Sequence, residues 1–455
     1  MTVTDEAGPR TGGPGLRALA DGLLPPPPAP PASRGRTAAG YLLAFAAALA
    51  FLLLTPAGWA RLDHLWAEDG ARFMVDAVTL PAFSNLVDPY GGYLHALPRL
   101  VAELVALLPL EWTAAGFAVS AAVLRAVVAL ISFAASGAYL RSLPLRVALA
   151  ALVVVLPAGN SEPLNNMANL HWFLLYGVFW ALLWRNAPRV PVTLFVFLAA
   201  VSSPLVLVLL PIALLRLALP RKELPVAFLA GALAQGVTML FAERLAYSHD
   251  AVDPVQVALA TLLRVPVVAF TGSEQVARFY PEHGNLPILA ALVLAAAPVV
   301  AGLRWGDRAG RLLVLLGVGL GALVMVVSLT ANWSAVLQAQ QPTVVMAGQR
   351  YSVAPCLFLF AAIAVGLDAV PARRWERLAV VAGRSVIGLV VLASVLLHLR
   401  SDRVVLNGVP WDESVARARV QCVEGGPVGR LEHEPTDWFF EVPCRYVVDG
   451  ARTRP

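Results

Sequence analysis

The chain has 455 residues, of which 58% are hydrophobic and 14% charged, and its formal charge of +5 is carried almost wholly by arginine. A soluble domain holds about a quarter charged residues, so this composition excludes an ordinary soluble enzyme and points to a polytopic membrane protein. In such a chain a basic excess reports orientation before it reports nucleic acid, and none is expected as a partner.

Residues 1–38 are polar and rich in Pro and Gly, with LLPPPPAPPAS inside them. No apolar core precedes Ala39, so the segment reads as a disordered cytoplasmic tail and not as a cleavable signal. Apolar runs follow at about 39–58, 113–139, 146–158, 170–185, 191–201, 204–217, 225–245, 285–304, 311–330, 350–369 and 378–399. The expected fold is all-α: a polytopic transmembrane helical bundle of about 11 spans over residues 39–399. The runs 191–201 and 204–217 are separated by Ser202–Ser203–Pro204 and read as two half-spans or as one kinked span.

The short connections RSLPLR, RNAPR, RLALPRK, RWGDRAGR and PARRWER each carry two or three basic residues, whereas the alternate, longer connections hold few. That is the positive-inside pattern. It places the N-terminus in the cytoplasm and residues 400–455 outside, as a small extracytoplasmic tail. Lys222 is the only lysine, a usage that fits a high-GC bacterium and hence its plasma membrane. Cys356 lies in an apolar run, while Cys422 and Cys444 lie in the tail, where an outside location permits a disulfide.

Nearly all polar residues able to do chemistry fall on the outer segments 59–112, 159–169, 246–284 and 331–349. In the first of them Glu68 and Asp69 open a short helix, EDGARFMVDAV. Acids at a helix start suit the dipole, with Arg72 pairing Asp69; a carboxylate there is equally placed to act as a general base. Further on, His95, Arg99 and Glu103 recur every four residues along YLHALPRLVAELVALLP, so one helical face is charged. This segment belongs at the interface or against the bundle.

The second segment, AGNSEPLNNMANLHW, carries Glu162, Asn165, Asn166 and His171. Amides both donate and accept, which suits sugar hydroxyls, and a turn capping two helices would use the same residues. The third brings Glu274, Arg278, Tyr280, Glu282 and His283 before a span, where a lid or interfacial helix fits. In the fourth, Gln349, Arg350 and Tyr351 stand where a span begins. An arginine there either anchors at the head-group level or holds a lipid phosphate in its fork. The chain contains no GxxxxGK[ST], CxxC, HExxH or GxSxG.

The layout resembles the GT-C fold of membrane glycosyltransferases that use polyprenyl-phosphate sugars. There a first span leads into a long outer loop that opens on an acidic pair and carries interfacial helices. The matching stretches here are WAEDGARFMVDAV, DPYGGYLHALPRLVAELVALLP and, after a basic inner turn, NSEPLNN, covering roughly residues 39–250. The resemblance implies that Glu68 or Asp69 deprotonates an acceptor hydroxyl in a single inverting displacement. By position, Arg350 or Arg278 would hold the donor phosphate. Tyr351, Glu162, Asn165, Asn166, His171, His95 and Arg99 would line the substrate site. The expected partners are a polyprenyl-phosphate sugar, a glycan or lipid acceptor and membrane lipids. Some relatives place a divalent ion at the acids and others none. The competing expectation is a transporter or flippase of lipid-linked saccharides, to which the break at Ser202–Pro204 and Arg125 inside a span would belong.

Overall fold

The computed structural model describes residues 15–26, 34–160, 162–243, 251–333, 348–371, 374–400 and 407–450. These are helices throughout except for one two-stranded hairpin near the C-terminus. Among the described residues, eight helices are long and apolar enough to cross a membrane, or nine if a bent pair counts as one span. This is the chain of a multi-pass membrane protein. Parts of the expected tails, 1–14, 27–33, 401–406 and 451–455, and of the outer segments, Ser161, 246–250 and 334–347, lie outside the described residues.

The eight differ from the 11 runs read in the sequence. Leu143–Gly159 and His171–Leu183 are apolar but shorter than a full span. The helices Arg189–Ala200 and Pro204–Arg216 meet at a bend of 118°. Their junction touches the first polar segment, where Ala96 N donates to Val201 O at 3.2 Å and Leu97 N to Ser202 Oγ at 2.8 Å. Their far ends, Arg189 and Arg216, lie together with the short basic connections. The pair therefore doubles back on itself at the bend. Conversely, Pro254–Thr271 lies in the expected outer loop yet forms an 18-residue apolar helix.

The polar groups gather at the two ends of the bundle. At the arginine-rich end, Tyr139 Oη donates to Leu23 O at 2.9 Å, Arg185 pairs with Asp21 at 2.9 Å, and Arg189 pairs with Glu223 at 3.0 Å. Asp368 accepts there from Arg141 N at 2.7 Å and Ser142 N at 3.1 Å. These contacts correct the expectation of disorder over the described residues of the N-terminal segment, 15–26 and 34–38. Leu16–Leu23 is a helix with Ala20 and Leu23 buried, docked beneath the bundle, and the next helix starts at Arg34, ahead of Ala39.

Two buried arginines serve the helices. Arg125, in Thr113–Ser136, donates to Val153 O at 2.8 Å, Val154 O at 3.0 Å and Gly159 O at 3.1 Å. The Val153 and Val154 carbonyls are among those left open where Leu143–Val155 ends, and Gly159 closes the turn that follows it. Arg216 does the same for His171–Leu183, with Trp184 O at 2.9 Å. Arg125 thus caps a helix end.

The tail is a small folded module. Trp411–Val423 packs on antiparallel strands Val428–His433 and Trp438–Pro443, and Cys422–Cys444 is a disulfide. Trp411 Nε1 donates to Leu110 O at 2.9 Å, which docks the module on the loop that carries Glu68 and Asp69.

Candidate active site

The acidic pair sits in a backbone that the tail shapes. Ala67 N donates to Glu434 O at 2.6 Å and Glu434 N to Leu65 O at 3.0 Å, so the tail grips the residues just before the acids. Ala67 takes φ 38°, in the left-handed region that a non-glycine residue enters only when its surroundings hold it there. A π-helix, Asp69–Met74, follows. Its wider turn breaks the expected 3.6-residue register, so Arg72 pairs with Asp76 at 3.0 Å and Asp88 at 2.5 Å and not with Asp69.

The two acids part ways. Asp69 is 1% exposed, and its two carboxyl oxygens accept from Met167 N at 2.9 Å and Ala168 N at 2.8 Å. Burial pushes its pKa up to about 8, against the pull of these two amides and of Arg61. With its proton held and both oxygens engaged, Asp69 ties the first outer segment to the second. Glu68 is half-buried and lines a cavity of about 560 Å³.

That cavity draws its polar wall from four places in the chain: Glu68, His95, Asn169 with His171, and Arg350 with Tyr351. Arg350 is ion-paired to Glu162 through Nη1, and its backbone N also donates to Glu162 Oε2 at 3.4 Å. The guanidinium lies 5.3 Å from the Tyr351 ring. The charges of Glu68 and Arg350 both act on the Tyr93 hydroxyl, whose pKa is raised chiefly by burial, so the acid and the guanidinium share one compartment. His95 Nε2 donates to Tyr90 O at 3.1 Å, which leaves Nδ1 as an acceptor. Burial lowers the His95 pKa to about 3, so the ring is neutral at ordinary pH.

Aromatic rings floor the polar part. Tyr93 packs against His95 with ring centroids 4.1 Å apart and planes tilted by 35°, and Trp172 meets Tyr351 edge-on at 5.5 Å. The apolar part of the lining is made by Leu205, Leu207, Val208, Met239, Val327 and Ala331, with Ser328 and Asn332 beside the last two of these. The cavity is therefore amphiphilic, and its volume lies within the ~300–1,000 Å³ of small-molecule sites. It has room for a ligand with a polar head and a hydrocarbon tail.

No family model, no curated protein and no solved structure matches this chain.

Of the residues singled out in the sequence, Glu68, His95, His171, Arg350 and Tyr351 come together, with Glu162 behind Arg350. The others stand apart. Arg99 is wholly buried and binds Asp76 at 2.8 Å, Asn85 at 2.5 Å and Asp88 at 3.1 Å, so it braces the loop and does not reach the cavity. Asn165 donates to Leu52 O at 2.6 Å and Asn166 to Glu162 O at 2.7 Å; both are spent on backbone carbonyls. Arg278 is exposed on Ser273–His283 and does not line the cavity.

Tyr90, Tyr93, Trp172, Asn169 and Asn332 line the cavity and were not selected from the sequence as site residues. For the tyrosines a signal existed. In YGGY, Gly91 and Gly92 take φ 63° and 90°, which closes a tight turn with Tyr90 and Tyr93 hydrogen-bonded to each other. Among the described residues no three His, Cys, Asp or Glu side chains converge to hold a metal ion. With both Asp69 oxygens taken by amides, the acidic pair does not fit a two-carboxylate metal site.

Proposed function

We propose that this protein is a membrane glycosyltransferase that moves a sugar from a polyprenyl-phosphate donor to a cell-envelope glycan or lipid acceptor. The observation that carries the reading is the shared cavity, which Glu68 and Arg350 line together with hydrocarbon side chains such as Leu205, Val208 and Met239. The resemblance to the GT-C layout supports it independently. Glu68 takes the proton of the acceptor hydroxyl as that oxygen attacks the anomeric carbon. The bond from that carbon to the phosphate oxygen breaks, its electron pair leaves with the polyprenyl phosphate, and the configuration inverts. Arg350, held by Glu162, faces the phosphate and stabilises the leaving charge. The aromatic rings and Asn169 hold the sugar, and the apolar part of the lining takes the first isoprene units. The positive-inside pattern puts this chemistry on the outer face of a bacterial plasma membrane, with the N-terminus cytoplasmic and the tail outside.

The transporter reading loses its two sequence arguments, because Arg125 caps a helix and the break at Ser202–Pro204 ends beside Ala96. The test is mass spectrometry of envelope glycans from cells lacking the protein, complemented with wild type or Glu68→Gln. Loss of one glycosyl unit that only wild type restores is expected. Full restoration by Glu68→Gln would overturn the assignment.

A further inference from the structure

A second cavity, of about 890 Å³, lies away from Glu68 in the flank of the bundle. It runs between the helices Arg34–Leu54, Thr113–Ser136 and Leu143–Val155. Small residues make its walls: Gly40, Ala44 and Ala47 on the first helix, Ala129 on the second and Ala151 on the third. Larger side chains there would close the gap between helices. The first helix leans on little else, with only 6% of Thr37–Leu54 buried. The groove follows that helix from Thr37 to Phe51, a length of about 21 Å at 1.5 Å per residue. One leaflet's share of the hydrocarbon core is about 15 Å.

One end of the groove carries a cation. Arg146 stands there beside Thr37 and Tyr41. Its Nη2 donates to Phe133 O at 3.1 Å, and its guanidinium lies 4.5 Å from the Phe133 ring. Gly137 makes the room, since a Cβ there would come within 2.8 Å of Nη2. The Arg146 Nε is buried without a hydrogen-bond partner, and among the described residues no carboxylate pairs with the side chain. A guanidinium at the edge of hydrocarbon without a counter-ion is costly, and an anion that brings its own hydrocarbon removes the cost.

We propose that this groove binds an anionic glycerophospholipid of the surrounding bilayer, with its phosphate on Arg146 and one acyl chain laid along Gly40 to Phe51. Charge decides between occupants. A partner helix would cover the alanine wall but leave Arg146 unmatched. A polyprenyl phosphate would carry the right charge, but Arg146 lies at the arginine-rich end, opposite the Glu68 cavity. By the positive-inside pattern that end faces the anionic cytoplasmic leaflet. The inference does not depend on the reading of the Glu68 cavity.

The test uses the full-length protein in a neutral detergent, with thermal melting and native mass spectrometry after addition of phosphatidylglycerol, phosphatidylcholine or polyprenyl phosphate. Phosphatidylglycerol should bind at least tenfold more tightly than phosphatidylcholine and raise Tm, and Arg146→Gln should erase the difference. Because Arg146→Gln also loses the Phe133 contact, Ala44→Trp is the second variant. Ala44 is exposed, so the change fills the groove without touching the core, and Tm in the absence of lipid should match wild type. Equal binding of the two phospholipids, retention of phosphatidylglycerol by Ala44→Trp, preference for polyprenyl phosphate, or a dimer that Ala44→Trp dissociates would each overturn the proposal.

Discussion

Asp69→Asn and Glu68→Gln exchange adjacent acids for their amides, and the structure gives them opposite consequences. Asp69 accepts one amide on each oxygen. An asparagine offers one oxygen, so its NH₂ must face the second N–H, and a buried donor is left without an acceptor. An orphaned buried group costs about 1–3 kcal/mol, and a loss of that order is expected, enough to open the Met167–Ala168 turn measurably. Glu68 has no hydrogen bond to a described residue, and its exchange should change stability by less than about 0.5 kcal/mol. Thermal melting of the purified variants reads the global effect. Hydrogen exchange at the Met167 and Ala168 amides reads the local one and should quicken only in Asp69→Asn. Wild-type exchange rates in Asp69→Asn, or faster exchange in Glu68→Gln, would refute the assignment of Asp69 as the tie and Glu68 as the working acid.

Other outcomes follow from the same geometry. The folded pKa of Asp69 is raised from 3.8 to about 8, so its contribution to stability is complete below about pH 4 and is lost as pH rises through about 8. The slope is at most about 1.4 kcal/mol per pH unit. A pH series of melting curves should show it in wild type and not in Asp69→Asn. Arg350→Ala should raise the apparent Kd for a polyprenyl-phosphate ligand at least tenfold, whereas Arg278→Ala, at an exposed site, should leave it unchanged in the same titration. Arg61→Ala should lower Tm, because the residue is 4% exposed with its guanidinium 4.4 Å from the Trp66 ring. Removing the disulfide with Cys422→Ser frees a loop of 22 residues, worth about 3 kcal/mol of chain entropy in the tail. Proteolysis of the tail, and with it mobility of Leu65–Ala67, should increase.

The sequence exposed what is local and periodic. Apolar runs marked most of the long helices, and the charge of the short connections separated the two ends of the bundle. Position alone, just past the first apolar run, singled out the pair Glu68 and Asp69, and the start of a later run singled out Arg350. What stayed hidden depends on distant partners. Nothing near Asp69 announces that Met167 and Ala168 will bind it, and nothing near Ala67 announces Glu434, so the acids looked equivalent and the tail looked idle. Arg99 offered a regular charged face whose partners, Asp76, Asn85 and Asp88, sit in an irregular stretch. Pro254–Thr271 was lost among loops because Arg264 and Pro266 interrupt its apolar pattern, while Arg264 is in fact buried. Asn165 and Asn166 had the composition of a sugar site, but their amides satisfy main-chain carbonyls that would otherwise be orphaned, and of the segment's amides Asn169 lines the cavity.

The most direct measurement is turnover of polyprenyl-phosphate mannose and polyprenyl-phosphate arabinose by the purified protein in lipid nanodiscs, with donor affinity measured alongside. Wild type should release polyprenyl phosphate in the presence of an acceptor glycan. Glu68→Gln should bind the donor within about threefold of wild type but turn over about 10²–10⁴-fold more slowly, the usual worth of a general base. Turnover by Glu68→Gln at the wild-type rate would contradict the account, as would donor binding unaffected by Arg350→Ala.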